Sequence, residues 1–291
     1  MEESRYPLYS SYLSAAALAV VACVLRTLAL FLSFDSDPGY FRSGALLPIL
    51  YYALAAVSIL WFFSFPLRVR KGTPVPEFPA PEAPLLCGRA VCAAAFAATA
   101  VLLILTAKSQ AAPTIVPFLS GLFLLAGCAY FLLPLFGKTD GAAPLLCGYA
   151  VIFGAVLLLC TTYFDRFTPM NAPHKVGGHL ALLSLMLAAL MELRAKIGRR
   201  APRIGAVLHM TAFFLCFTVG LSGLIAFAGG VYDDLTYLLA DLLLFAFSLY
   251  LAAKNAGVFF PAPAARAAGP TAQTAEPTEE PTAEPAPKDP E

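Results

Sequence analysis

Residues 204–228 read IGAVLHMTAFFLCFTVGLSGLIAFA, and His209 is the one basic or acidic side chain among them. A helix rises about 1.5 Å per residue and the hydrocarbon core of a bilayer is about 30 Å thick, so about 20 apolar residues are enough for one crossing. This stretch meets both requirements. It predicts a transmembrane helix.

The same pattern recurs along most of the chain. Every backbone polar group must be satisfied internally in lipid, which favours helices, whereas barrel strands would be alternating segments of about ten residues. We predict an all-α, polytopic transmembrane helical bundle. Its eight predicted spans are about 12–34, 44–66, 85–107, 114–136, 144–164, 175–194, 204–228 and 235–253.

Composition supports a lipid-embedded protein. Apolar residues make up 59% of the 291 residues and charged residues only 13%, about half the share expected of a soluble domain. The net charge of +1 gives no reason to expect nucleic acid as a partner. The lipid bilayer is the expected surroundings.

The distribution of basic residues predicts the orientation. With the N-terminus inside, eleven lysines and arginines flank the inner side and four lie on the outer side, as the positive-inside rule expects. Residues 85–107 are the weakest span, because they are rich in alanine and carry Arg89; without them the chain would have seven spans and its end would change sides. We expect a cell-membrane protein, in a bacterial inner membrane, with both termini cytoplasmic.

A short repeat and a distinct C-terminal segment complete the predicted organisation. The sequence APLLCG occurs at 83–88 and at 143–148, each time at a helix start, which is typical either of ordinary helix-start chemistry or of a parallel helical-hairpin repeat. Residues 1–254 form the predicted membrane domain. Residues 255–291 are rich in Pro, Ala, Glu and Thr and predict a disordered cytoplasmic tail, either a spacer or a docking segment for a cytoplasmic protein.

Recognisable catalytic or cofactor motifs are missing from the sequence. There is no phosphate-binding glycine loop, HExxH or GxSxG pattern, and the seven cysteines form neither a CxxC pair nor a cluster with metal-ligand spacing. We therefore predict no catalytic residue, cofactor or metal. An unfamiliar intramembrane enzyme stays open.

Charged residues inside spans are costly, so they are the first candidate sites. Arg26 in the first span and Asp241 in the last lie at similar depths, and we hypothesise that they pair, with those two helices adjacent. A second candidate group lies near the inner ends of the third, sixth and seventh spans. Its members are Arg89, Glu192 and His209, with Glu192 expected to neutralise Arg89.

A third candidate site lies in the outer loops, where carboxylates and imidazoles could hold a cation or a polar ligand. Ordinary caps and turns are the alternative, with Asn171 predicted to cap the sixth span. The residues of this outer-loop site are Asp35, Asp37, Asp165, Arg166, Asn171, His174, His179, Asp233 and Asp234.

Three functions fit these patterns. The first is a non-catalytic membrane sensor or scaffold, favoured by the lack of catalytic motifs and by the tail. The second is a permease-like transporter of a small solute or ion, which would use the intramembrane charges. The third, an intramembrane enzyme, is the least supported, and the sequence does not identify a small-molecule ligand.

Overall fold

A computed structural model of the chain describes residues 2–35, 39–69, 80–110, 112–139, 141–165 and 168–260, with side chains from Leu8 onward. Eight of its helices are long and apolar enough to cross a membrane, which confirms the predicted fold class and number of spans. The elements in chain order are α1 (Glu2–Ser33), β1 (Phe34–Asp35), β2 (Tyr40–Phe41), α2 (Leu46–Phe63), α3 (Phe65–Arg68), α4 (Glu82–Thr106), α5 (Ile115–Leu132), α6 (Ala142–Tyr163), α7 (Pro173–Lys196), α8 (Pro202–Ala228) and α9 (Leu235–Asn255).

Two helix ends differ from the predicted boundaries. The second span ends at Phe63 rather than at residue 66, because the chain turns at Ser64 and Pro66 lies in the first turn of the short helix α3. Proline has no N–H to donate, so it suits a first turn better than the interior of a helix. The last span continues beyond residue 253 through α9 and a 3₁₀ turn, Ala256–Val258. Residues 261–291, most of the predicted tail, lie outside the described residues.

The two ends of the described chain lie together. The rings of Tyr9, near the start of α1, and Phe259, just after α9, are 5.3 Å apart in an edge-to-face contact. Eight consecutive spans return the chain to the face from which it starts. We call this face, with the starts of α1, α4, α6 and α8, the terminal face. The opposite face, with β1, β2 and residues 164–165, 168–172 and 229–234, is the loop face.

Six helices, α4 to α9, form a closed ring. Each packs against its neighbour in sequence, and α9 closes the ring by packing against α4. Helix α1 packs on the outside of α8, and α2 packs against α1. The most buried span is α8, which has neighbours on both sides.

Close packing of α8 against α9 depends on glycine. A Cβ added to Gly220 would lie 2.6 Å from the backbone nitrogen of Phe245 and 2.7 Å from the carbonyl oxygen of Asp241. Neither backbone atom can move aside without moving α9. Small residues allow this backbone approach in membrane bundles, where apolar burial does not distinguish helix contacts from lipid contacts.

The outer surface of the bundle is apolar. Large side chains such as Leu60, Leu105 and Phe136 are 70–76% exposed. Exposure on this scale would be an aggregation liability in water, but it is the expected surface in lipid.

The repeated hexapeptides lie at equivalent helix starts on the terminal face, in the first turns of α4 and α6. Their surroundings differ, because Gly88 packs against Tyr250 and Ala253 of α9, whereas Gly148 packs against Tyr130 and Leu193. A repeat relationship between the hairpins α4–α5 and α6–α7 stays a prediction.

Candidate functional site

A cavity of about 570 Å³ opens at the terminal face. Side chains from α1, α4, α5, α7, α8 and α9 form its walls, and the turn after α7 contributes Arg200 and Ala201. The volume falls within the range of small-molecule sites in proteins, about 300–1,000 Å³. We call it the terminal cavity.

The carboxylate of Glu192 organises the polar wall of the terminal cavity. Its Oε1 lies 2.7 Å from Nζ of Lys254 and 3.9 Å from Nε2 of His209. Its Oε2 accepts hydrogen bonds of 2.9 Å from the hydroxyls of Tyr130 and Tyr250. The side chain of Glu192 is only 4% exposed, and a charge this buried needs such partners to offset its lost hydration.

Two further cations lie on the same wall. Nζ of Lys196 is 4.6 Å from the ring centroid of Tyr130, a cation–π contact. Arg89 lines the cavity and lies within electrostatic range of the Tyr130 and Tyr250 phenols. It has no hydrogen bond or ion pair with any residue that the structure describes.

The inner cluster expected from the sequence thus shares one cavity, because Arg89, Glu192 and His209 all line it. The expected neutralisation of Arg89 by Glu192 is wrong, since Lys254 is the partner of that carboxylate. Sequence reasoning missed Lys254, Tyr130 and Tyr250. Lys254 resembled an ordinary flanking cation, but Tyr250 precedes it by four residues, and that spacing places both on one face of a helix.

A second polar cluster lies in the loop-face half of the bundle, around Arg26. The guanidinium is 1% exposed and donates from Nε to Oγ of Ser222 at 3.0 Å. Its Nη1 lies 3.5 Å from the hydroxyl of Tyr51, and its Cζ is 5.4 Å from the centroid of that ring. Gly177 makes room for the guanidinium, because a Cβ there would lie 3.0 Å from two of its nitrogens.

Asp241 belongs to the same layer but is held by other groups. The Tyr232 hydroxyl lies 2.9 Å from Oδ2 of Asp241 and 3.0 Å from the Gly223 carbonyl oxygen, and the carboxylate packs directly against Gly223. Burial, and then the Asp241 carboxylate, raise the pKa of the Tyr232 phenol, which stays a neutral donor.

Arg26 and Asp241 act on each other electrostatically, but they form no ion pair within the described part of the chain. Helix α8 lies between α1 and α9 and contributes Ser222 to one group and Gly223 to the other. The expected direct pair between adjacent first and last helices is therefore wrong. The positions of Arg26 and Asp241 within their spans indicated that they lie at a common depth. They did not indicate that α8 lies between α1 and α9.

The predicted outer-loop site is only partly assembled. Tyr237 connects two of its members: its hydroxyl donates to Oδ2 of Asp165 at 3.1 Å, and its ring lies edge-on to His174 at 4.6 Å. Lys175 is fully buried and donates from Nζ to the Asp165 carbonyl oxygen at 3.0 Å. His174 also stacks on Tyr232, with ring centroids 5.3 Å apart.

The other members of the outer-loop site are dispersed. His179 lies 3.0 Å from the Thr162 hydroxyl, and Asp234 caps α9 by accepting a hydrogen bond from the Thr236 backbone N–H at 2.6 Å. Asp35 lies in β1, and Asp233 is exposed. Asp37 and Arg166 lie outside the described residues.

One expectation for these loops is wrong. Asn171 is exposed and does not cap α7, whose N-cap is Ala172 followed by Pro173; because proline has no backbone N–H, that position needs no acceptor. Nowhere in the described ranges do three or more His, Cys, Asp or Glu residues converge as a metal site would require, and because Asp37 and Arg166 lie outside those ranges, the outer-loop ligand site stays a prediction. Two of the carboxylates have structural contacts: Asp234 caps α9, and Asp165 accepts a hydrogen bond from the Tyr237 hydroxyl.

Comparison with known proteins adds no relative: no family model matches the chain, and no curated protein and no solved structure matches it.

Proposed function

We propose that this multi-pass membrane protein is a non-catalytic sensor that binds a small polar ligand in the terminal cavity. The observation that carries the proposal is the cavity itself, with a buried and fully partnered carboxylate in its wall. A concave, partly apolar site with a few fixed polar groups is typical of ligand binding.

The lining favours binding over catalysis. Among the described residues that form it, there is no serine, threonine or cysteine to act as a nucleophile. Glu192 is engaged by Lys254 and by two tyrosine hydroxyls, so it is poorly placed to act as a base on a ligand.

A one-sided site is supported by the packing beyond the cavity. Phe96, Phe131, Phe214 and Phe247 are almost wholly buried in the core of the bundle, and the Phe96 and Phe131 rings lie 5.0 Å apart. Phe131 also lines the terminal cavity, and we infer that Phe96 and Phe247 close the cavity on the side of the Arg26 layer. The excess of basic residues expected on the terminal face supports a cytoplasmic cavity in a cell membrane.

A permease is the second candidate, and one observation favours it. Helices α8 and α9 carry polar groups in both halves of the bundle, His209 and Ser222 on α8 and Lys254 and Asp241 on α9. A rearrangement that opened the Arg26 layer would expose the same two helices to the other side. Capture of a cytoplasmic protein by the tail stays a prediction.

Accessibility of one helix to a water-soluble reagent separates these functions. Ala206 lines the cavity, whereas Ala212 is six residues further along α8, about 9 Å deeper, and is fully buried. Ala206→Cys and Ala212→Cys would be treated in sealed vesicles of each orientation with a membrane-impermeant methanethiosulfonate. Peptide mass spectrometry reads each cysteine separately, so the native cysteines can stay.

For a sensor, Ala206→Cys reacts only from the terminal face and Ala212→Cys from neither. Reaction of either cysteine from the loop face would favour the permease. An unreactive Ala206→Cys in a folded protein would mean that the cavity is closed to water, and the sensor proposal would fail.

A further inference from the structure

The charges of the terminal cavity are strongly unbalanced. Its lining includes four cations, Arg89, Lys196, Arg200 and Lys254, against one carboxylate, Glu192, within the residues that the structure describes. Lys254 lies 2.7 Å from that carboxylate and neutralises it. Arg89 has no carboxylate partner among the described residues, and it makes the cavity wall a positive site in surroundings of low dielectric, where the attraction for an anion is stronger than in water.

Arg89 is the cation best placed to receive a ligand. It lies on α4, about two turns from the start of that helix at Glu82, and is half-buried in the cavity wall. The one carboxylate in the lining has other partners. A guanidinium offers a planar array of N–H donors that matches the oxygens of a phosphate or a carboxylate. The N–H groups of Arg89 therefore favour an oxyanion as ligand.

The tyrosines orient this polar wall without competing for an anion. Both hydroxyls donate to Oε2 of Glu192 at 2.9 Å, and the ring of Tyr130 supports Lys196 at 4.6 Å. Tyr130 thus contacts two groups: its hydroxyl donates to the Glu192 carboxylate, and its ring face contacts the Lys196 ammonium group. This arrangement keeps Glu192 away from a bound anion and keeps Lys196 at the cavity.

The rest of the lining is apolar. Leu8, Leu85, Phe131, Met191 and Val258 form the parts of the wall that carry no charge. A ligand that fills the cavity would therefore have an anionic group and an apolar part. Phosphate monoesters that carry an acyl chain or another apolar group have this chemistry.

We propose that the terminal cavity binds a phosphate-type oxyanion carried by an amphiphilic molecule, with Arg89 as its principal ligand-binding residue. The phosphate belongs either to a lipid head group entering from the bilayer or to a soluble phosphate ester entering from water. This proposal deepens the proposed sensor function and rests on it.

Two probes distinguish these sources. Purified full-length protein in phosphatidylcholine nanodiscs would be titrated with glycerol 3-phosphate, and in a parallel arm dioleoyl phosphatidic acid would be added to the nanodiscs. Binding is read by calorimetry for the soluble probe and by native mass spectrometry for the lipid. Arg89→Gln is the test variant, and Arg42→Gln, which changes an exposed arginine at the loop face, is the matched control.

We expect at least one probe to bind, with affinity reduced about tenfold or more by Arg89→Gln, as the loss of a charge-assisted contact predicts, and unchanged by Arg42→Gln. Saturation by glycerol 3-phosphate identifies a soluble ester; retention of phosphatidic acid alone identifies a lipid. Binding of neither probe, or equal binding by wild type and Arg89→Gln, overturns the proposal. If Ala206→Cys still reacts from the terminal face alone, the sensor function survives and only the ligand class is wrong.

Discussion

The Nε donor of the buried Arg26 guanidinium depends on the hydroxyl of Ser222. Ser222 Oγ accepts the Nε hydrogen bond of Arg26 and itself lies 2.6 Å from the Thr218 carbonyl oxygen. An unsatisfied buried donor costs the full desolvation of that group, and the cost is larger when the group is charged. The hydroxyl therefore links α1 to α8 at a position where lipid offers no substitute donor or acceptor.

Ser222→Ala is expected to lower the stability of the protein by about 1–3 kcal/mol, because Nε of Arg26 loses its partner in a buried site. Thermal unfolding in one detergent measures the effect. Ser248→Ala is the matched control, since Ser248 is also fully buried but, among the described residues, bonds only the Phe245 carbonyl of its own helix. Equal midpoints for the two variants would contradict a structural role for the Arg26–Ser222 contact.

The ion pair of the terminal cavity predicts a conservative rescue. Lys254→Met should destabilise the protein by about 2 kcal/mol, less than the loss of a fully buried pair, because the Lys254 side chain is 33% exposed and water can partly replace it. Lys254→Arg should retain most of the stability.

The double variant Glu192→Gln with Lys254→Met checks that the pair is coupled. Removing both charges should cost less than the sum of the two single changes, because neither partner is then left alone in the wall. Additive midpoint shifts in thermal unfolding would mean that the 2.7 Å contact contributes nothing.

Sequence reasoning at the residue scale found the buried charges but not their partners. Because a charge in lipid is costly, Arg26, Asp241 and Glu192 stand out in the sequence as ionisable residues within the predicted spans. Their partners Ser222, Tyr232 and Tyr130 belong to residue types that are common in membrane helices, and nothing in the local sequence distinguishes them. The packing of α8 between α1 and α9 decides that Ser222 meets Arg26, and the packing of α5 near α7 decides that Tyr130 meets Glu192.

At the scale of the element, glycine controls the distance between α8 and α9. Gly220→Ala should destabilise the bundle by about 1–3 kcal/mol, as expected for overpacking, because the new methyl group would meet the backbone of α9. Thermal unfolding and the recovery of folded protein are the measurements.

Gly178→Ala provides the control for helix propensity. Gly178 lies inside α7, and a Cβ there would meet no atom within 4 Å. Replacement of glycine by alanine in such a helical position is expected to be neutral or to stabilise by up to about 1 kcal/mol. Similar losses for both variants would show that the α8–α9 contact is looser than described.

The sequence predicted the presence of the helices more accurately than the residues at which they end. Long apolar runs determine where spans lie, and all eight are present. The end of α2 at Phe63 was missed because the apolar run continues past Ser64, and only the turn at Pro66 reveals the break. The predicted cap by Asn171 is wrong, because Pro173 reduces the need for a cap at the start of α7.

At the scale of the whole molecule, an even number of crossings places both ends of the bundle and the terminal cavity on one face. The Tyr9–Phe259 contact agrees with this arrangement. The alanine-rich helix α4 is the span on which the count depends, because Arg89 lies within it. If α4 did not cross, the cavity would lose the wall that carries Arg89, and the ligand proposal would fail with it.

Sided labelling of four single cysteines tests this claim most directly. Glu82→Cys and Thr139→Cys lie at the terminal face, and Ser109→Cys and Met170→Cys at the loop face; all four positions are exposed. Sealed vesicles of defined orientation would be treated with an impermeant maleimide and read by peptide mass spectrometry. With eight crossings, we expect positions 82 and 139 to react from one side only and positions 109 and 170 from the other side only. Reaction of positions 82 and 109 from the same side would contradict this expectation.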